Sequence, residues 1–211
     1  APLLLAWMLA PLIAWRISTP RAPRQADGLD AAEAQSLRSM ARQTWSYFDT
    51  FVTAQHHHLP PDNYQEVPHG VVAGRTSPTN IGLYLLTLVA ARDFAWLGRE
   101  SFLSKLEATL GTVRRLGKFR GHLYNWYDTQ DLRDLDPKYI SSVDSGNLAG
   151  HLLTLAGACE QWLQENAAAE ALHPDFVTGI LDTLRQVRCF ASGLAEDARR
   201  YHTQPTRLVQ A

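Results

Sequence analysis

Two stretches of this sequence combine aromatic rings, carboxylates, side-chain amides and arginine. They span residues 56–80 and 119–146, and an asparagine follows directly after the second. The side chains that they offer are Asp62, Asn63, Gln65, Glu66, Arg75, Asn80, His122, Tyr124, Trp126, Tyr127, Asp128, Asp144 and Asn147. Rings can stack on the apolar faces of a pyranose, while carboxylates, amides and arginine bind its hydroxyls. These residues are therefore candidates for a sugar-binding cleft, although surface loops also hold aromatic and acidic residues for structural reasons.

The carboxylates also raise the question of glycoside chemistry. That chemistry usually needs two carboxyl groups, either about 5 Å or about 6.5–9.5 Å apart. Glu66 with Asp144, or Asp62 with Asp128, are pairs that a shared surface would bring together. Arg75 and Asp128 could equally pair with each other and hold the loops in place. We favour binding or loop bracing over catalysis for each of these acids, and keep Glu66 and Asp144 as weak catalytic candidates.

Several other classes of site find little support. The formal net charge is -1 and there is no long basic run, which argues against nucleic acid as a partner. Three consecutive histidines, His56 to His58, cannot readily all face one ion, so no metal site is expected. Phosphate-binding glycine loops are missing from the sequence, and no cofactor is expected. Cys159 and Cys189 are predicted to be free thiols.

The elements that must position the candidate residues are helices. Apolar residues recur at helical spacing and no run alternates as a strand would, so the fold class is all-α. We expect Ser77 or Thr79 to cap the second helix of the folded domain and Ser101 to cap the third. The predicted helices cover about 37–52, 79–98, 101–117, 145–166 and 173–202.

Connection lengths and a repeat suggest how the helices are arranged. Helices one and two, and helices three and four, are joined by about 25 residues, whereas ordinary connections have about 2–8. Antiparallel neighbours place both long loops at the same end. The segments 80–91 and 147–158 match at six of twelve positions. Stacked helical hairpins of this kind form solenoids or toroids, unless the two hairpins merely look alike.

The first residues differ from the rest. Fifteen apolar residues precede Arg16, Arg21 and Arg24. A membrane helix needs about 20 apolar residues, so we interpret residues 1–17 as the C-terminal part of a transmembrane helix whose first turns are missing, with a signal-peptide remnant as the alternative. The arginines would face the cytoplasm. Residues 18–28 are predicted to be a linker, and residues 29–211 the folded domain.

The loop motifs carry a family resemblance. The strings TWSYFDTFV, LPPDNYQE, RTSPTNIGLYLL and KFRGHLYNWYDTQDLRDLDPKYISSVDSGNLAGHLL resemble the middle region of bacterial cyclic β-1,2-glucan synthases. These are large inner-membrane enzymes. In them the region follows membrane helices and forms an (α/α)6 toroid that looks like a retaining transglycosylase. The resemblance implies stacked helical hairpins that form part of such a toroid.

The resemblance also implies a role and partners. The family's two catalytic glutamates are expected in motifs beyond Ala211, so this chain would supply the glucan-binding rim of the cyclising module. Its partners would be a β-1,2-glucan chain, the membrane through residues 1–17, and the remaining modules of the same polypeptide. Its place would be the inner membrane, with the soluble part on the cytoplasmic side. The sequence departs from the family pattern at His56 to His58 and Gly74. The alternative is a stand-alone, non-catalytic helical carbohydrate-binding module.

Overall fold

The computed structural model describes residues 2–19, 28–164 and 174–203. Six α-helices make up most of these residues. Most of the predicted linker, residues 20–27, lies outside the described part, as do residues 165–173 and 204–211. The helices are α1 (Pro2–Ser18), α2 (Ala31–Phe51), α3 (Pro78–Asp93), α4 (Arg99–Arg115), α5 (Ser142–Gln164) and α6 (Pro174–Thr203).

Within the described residues, extended structure is limited to three antiparallel pairs of two-residue strands. The predicted all-α class is therefore confirmed. The pairs are β1 (Tyr64–Gln65) with β2 (Val71–Val72), β3 (Arg75–Thr76) with β6 (Tyr127–Asp128), and β4 (Lys118–Phe119) with β5 (His122–Leu123).

The chain divides into two units, Ala1–Ser36 and Leu37–Ala211. In the first unit, α1 has 17 residues, and each of its side chains whose burial is described is exposed. None of the described helices meets the length and hydropathy that a membrane crossing requires. At the start of α2, Asp30 and Glu33 form a reciprocal capping box, with bonds of 2.8 and 2.9 Å between side chains and backbone N–H groups.

Helix starts follow local capping chemistry. Ser77 caps α3, as expected, because its Oγ accepts from Asn80 N at 3.2 Å and Pro78 occupies the first helical position. The expected cap at Ser101 is wrong, since α4 begins at Arg99 directly after Gly98. Residues 94–97 form the turn between α3 and α4, where Ala95 adopts a φ of 57°. The second helix therefore ends at Asp93, before the predicted limit of 98.

The core of the second unit lies among α2, α3 and α4. Its largest fully buried side chains include Trp45, Tyr84 and Phe102. On α3, Leu85 and Leu88 are fully buried, and truncating such a leucine to alanine typically costs about 2–5 kcal/mol. This core fixes the ends from which both long loops leave.

Helices α3 and α5, which carry the two repeats, pack extensively against each other. Their crossing is close at Gly82, where an added Cβ would collide with the imidazole of His151. Glycine is needed there for space rather than for backbone freedom. The approach brings the N-terminal ends of the two repeat helices together, next to both loops.

Candidate functional site

The two long loops are joined by backbone hydrogen bonds. Strand β3 from the first loop pairs with β6 from the second, with Arg75 opposite Asp128 and Thr76 opposite Tyr127. The ladder continues as Thr129 N donates to Gly74 O at 2.9 Å. The prediction that both loops share one face is confirmed.

The histidine run supports this junction. His56 Nδ1 hydrogen-bonds with Thr129 Oγ1 at 2.7 Å, and His57 Nε2 donates to Gln130 O at 2.8 Å. The backbone carbonyls of His57 and His58 accept from threonine hydroxyls on α4. No cluster of metal-ligating side chains occurs among the residues that the structure describes. The histidines act as loop braces.

One group of candidate residues forms a partly exposed cluster, which we name the Arg75 cluster: Asp62, Asn63, Arg75, Asn80 and Trp126. Arg75 donates to Asp62 Oδ2 from Nη2 at 2.9 Å and from Nε at 3.1 Å. Its guanidinium carbon lies 4.6 Å from the centroid of the Trp126 ring. The side chain of Arg75 nonetheless remains 51% exposed.

Asp62 also contacts both asparagines of the Arg75 cluster. Asn80 Nδ2 donates to Asp62 Oδ1 at 3.3 Å, and Asn63 Nδ2 donates to Asp62 Oδ2 at 3.1 Å. Asn80 lies in the first turn of α3, so the helix anchors one edge of the cluster. The result is a stacked guanidinium beside amides and a carboxylate, all accessible from the loop face.

A second group, the Asp144 network, consists of Thr79, Asn125, Tyr139, Asp144 and Asn147. Thr79 Oγ1 donates to Asp144 Oδ1 at 2.5 Å and accepts from Asn147 Nδ2 at 3.2 Å. With its amide nitrogen turned toward Asp144, Asn125 donates to Asp144 Oδ2 at 3.1 Å and accepts from Tyr139 OH at 2.7 Å. Asn125 is only 6% exposed.

The Asp144 network and the Arg75 cluster touch. The Asn125 oxygen also accepts from Trp126 Nε1 at 2.5 Å, so the indole that carries the Arg75 guanidinium is held by a buried amide. Ser141 Oγ accepts from Asp144 N at 3.1 Å at the start of α5. An acid in a first helical turn is also favoured by the helix dipole. The network thus ties the first turns of α3 and α5 to each other.

Tyr127 does not belong to an accessible site. Its ring is fully buried, and its hydroxyl donates to Gly117 O and accepts from Tyr124 N, both at 2.6 Å. Burial raises the pKa of Tyr127 to about 12. The expectation that this ring stacks on a sugar is wrong, because both its faces and its polar end are used inside the protein. Tyr124 is half-buried and packs against the core.

The remaining candidates lie at the edges of the loops. His122 is exposed on β5, and Glu66 is exposed between β1 and β2. The Gln65 amide donates to Val67 O at 2.9 Å. Asp128 accepts from Gln130 N at 2.7 Å and organises its own turn. Thus seven of the thirteen candidates lie in the Arg75 cluster or the Asp144 network. The other six are Gln65, Glu66, His122, Tyr124, Tyr127 and Asp128.

The chain has recognisable relatives. Residues 39–161 match the family model described as "Protein of unknown function (DUF3131)". The chain belongs to the DUF3131 family. This DUF3131 chain is 46% identical over 167 residues to the cyclic beta-(1,2)-glucan synthase NdvB of Rhizobium meliloti (strain 1021). The match covers 79% of the chain and 6% of the synthase, so the chain spans only a small part of that relative's length.

A solved structure supports the fold of the DUF3131 chain. A glucoamylase-like protein from Bacteroides fragilis NCTC 9343 superposes with a TM-score of 0.51 at 17% sequence identity. The superposition covers 75% of this chain and 37% of that one. The predicted resemblance to the middle region of the glucan synthases and the predicted toroid-type helical fold are both confirmed.

Three of the four candidate acids of this DUF3131 chain, Asp62, Asp128 and Asp144, accept hydrogen bonds from other groups of the protein. Asp62 is the ion-pair partner of Arg75, so the suggested side-chain pair of Arg75 with Asp128 is wrong, although their backbones do pair. Asp144 accepts from a hydroxyl and an amide. A carboxylate held by such donors is suited to positioning. Glu66, in the turn between β1 and β2, is the exposed member of the four candidate acids.

Sequence reasoning missed the parts played by Thr79, Asn125 and Tyr139. Thr79 links the two repeats, and Asn125 links Trp126 to Asp144. The signal for Thr79 was the repeat itself, since Asn80 and Asn147 occupy equivalent positions at two helix starts that must meet. Nothing in the local sequence of Tyr139 indicates its partner.

Proposed function

We propose that this chain is part of a cyclic β-1,2-glucan synthase, in which its two long loops form a glucan-binding rim of the cyclising transglycosylase module. The observation that carries the proposal is the β3–β6 junction. It places an exposed arginine, its aromatic support, and neighbouring amides and acids on one face. The similarity to the Rhizobium meliloti synthase supplies the substrate class.

The Arg75 cluster suits a neutral, hydroxyl-rich ligand. The guanidinium is already paired with Asp62 and stacked on Trp126, so it presents N–H donors in a fixed plane. The amides of Asn63 and Asn80 add donors and acceptors beside it. Because Arg75 is held before the ligand arrives, little conformational entropy is lost when glucan binds.

Binding fits these residues better than catalysis does. Glycoside chemistry requires one carboxyl to protonate the leaving group and another to attack or activate water. Asp62 and Asp144 accept hydrogen bonds from protein groups that hold them in place. We propose that they position glucan and loops, and that the catalytic glutamates belong to motifs that this sequence does not contain.

We also propose that residues 1–17 belong to a membrane helix and that the domain lies on the cytoplasmic side of the inner membrane. The support is the apolar composition of α1 and the arginines that follow it. The orientation can be tested in variants that lack the native cysteines and carry a single new cysteine at one or the other flank of α1. Labelling of the cysteine on the domain side by a reagent confined to the periplasm would overturn the proposed orientation.

Binding is tested by calorimetric titration of the chain with β-1,2-glucan. Replacing Trp126 by alanine is expected to weaken binding by about 1–3 kcal/mol, the scale for losing an aromatic platform. The matched control is Phe176→Ala, which removes another exposed ring, on α6 and outside both loops. Equal affinity of wild type and Trp126→Ala, with unchanged circular dichroism, would contradict the proposal.

A further inference from the structure

A separate cavity of about 190 Å³ lies between α2 and α6. Its position along α2 is distant from the loops, since Arg42 precedes the end of that helix by nine residues, or about 13 Å at the helical rise. In the same measure, about 10–15 Å³ suffices for one ordered water. The cavity therefore has room for a small organic group. Its lining includes Ser39, Arg42, Gln43, Arg185, Gln186 and Cys189.

The charge around this cavity is unbalanced. Asp182, whose side chain is 1% exposed, accepts from Arg38 Nε at 2.9 Å and from Arg185 Nη1 at 3.2 Å. Trp96 Nε1 donates to the same carboxylate at 3.2 Å. The single carboxylate of Asp182 thus pairs with the guanidinium groups of both Arg38 and Arg185. Arg42 is the second arginine of the lining itself, whose formal charge with Arg185 and Asp182 is +1.

Arg42 carries a hydrogen-bond donor that has no acceptor. Its Nε is buried and has no hydrogen-bond partner among the residues that the structure describes. Its Nη1 donates to Ser46 Oγ at 3.4 Å, and its guanidinium carbon lies 5.7 Å from the Trp96 ring centroid. Burial lowers the pKa of Arg42, while Asp49 and Asp182 act in the opposite direction.

We propose that this cavity, which we name the Arg42 pocket, binds a small organic oxyanion through its carboxylate or phosphate group. Arg42 supplies the main contact, since its buried Nε–H has no acceptor and would gain one from the anion. Arg185 and the amide of Gln43 are positioned in the lining to complete the contacts. Phe190 and Cys189 in the same lining would accept a short apolar stem. The inference is independent of the glucan proposal.

The test measures the melting temperature of the chain in sodium phosphate, sodium acetate and sodium chloride at equal ionic strength. Phosphate or acetate is expected to stabilise the wild type relative to chloride, and the stronger of the two identifies the preferred group. Arg42→Gln is expected to weaken that response about tenfold in apparent affinity, the effect of losing a charge-assisted contact. The control Arg114→Gln removes the same charge from an exposed position on α4 and should keep the response.

A second variant keeps the test decisive if Arg42→Gln fails to fold. Cys189 is exposed at the pocket, so Cys189→Glu places a tethered carboxylate beside Arg42. This variant should melt at a higher temperature in chloride and lose its response to phosphate and acetate. Equal responses in all variants, or no stabilisation of the wild type by either anion, would overturn the proposal.

Discussion

The Arg75 cluster and the Asp144 network lie side by side at the loop junction and are built from the same kinds of side chain. Each has one aspartate, amides and an aromatic residue. Their central donors differ in exposure: the Arg75 side chain is 51% exposed, whereas Asn125 is 6% exposed and only outer members of its network, such as Tyr139, reach the surface. Surroundings, rather than residue type, therefore distinguish the two groups.

Removing Asp144 should have the largest effect on stability. Asp144→Ala leaves Thr79 and the buried Asn125 without their acceptor, and each unsatisfied polar group costs about 1–3 kcal/mol. We expect the free energy of unfolding to fall by about 3 kcal/mol in urea titrations. Asp131→Ala, in an exposed turn where Asp131 accepts from Arg133 N, should cost less than about 1 kcal/mol. If the free energy of unfolding fell by similar amounts in the two variants, Asp144 would contribute no more to stability than an exposed aspartate does.

Changing Arg75 should affect glucan affinity more than stability. Arg75→Lys keeps the charge but loses the planar fork toward Asp62 and the stacking on Trp126. We expect glucan affinity to fall about tenfold while the free energy of unfolding changes by less than about 1 kcal/mol, since exposed ion pairs contribute little. Calorimetric titration and urea unfolding of the same samples check both values. A large loss of stability with normal affinity would show that Arg75 braces the loops and does not bind glucan.

Tyr127 offers a smaller effect that depends on pH. Near neutral pH, Tyr127→Phe should cost about 1 kcal/mol, because the hydroxyl contacts to Gly117 O and Tyr124 N are lost. The folded pKa of about 12 exceeds the usual value of 10, so the unfolded chain loses the tyrosine proton first. The stability that the hydroxyl provides should therefore decline from about pH 10 through pH 12. Urea unfolding across this range should show wild type and Tyr127→Phe converging; parallel curves would contradict the burial of the hydroxyl.

Some of this arrangement could be predicted from the sequence and some could not. Connection lengths predicted the shared loop face, and the Ser-Pro pair at 77–78 marked the start of α3. The partner of Arg75 could not be chosen, because Asp62 and Asp128 are equally suitable acids until backbone pairing fixes their directions. The cleft and its glucan ligand remain predictions that the binding experiments address.

The burial of Tyr127 follows an alternating exposure pattern that the polarity of the residues does not reveal. From Leu123 to Gln130 the exposure alternates residue by residue, as in a strand. The inward set includes Asn125 and Thr129 as well as Leu123 and Tyr127, so polar and apolar types do not separate. Asn125 and Thr129 are buried there because each has specific hydrogen-bond partners, such as Asp144 and His56, that lie far away in the sequence.

The β3–β6 ladder also has a consequence for folding. It fastens Thr76 to Tyr127, 51 residues away, across the whole α3–α4 hairpin. Two short strands cannot offset the entropy of closing so long a loop by themselves, so the intervening helices must pack first. We therefore expect the loop junction to form late, after the α3–α4 hairpin has packed.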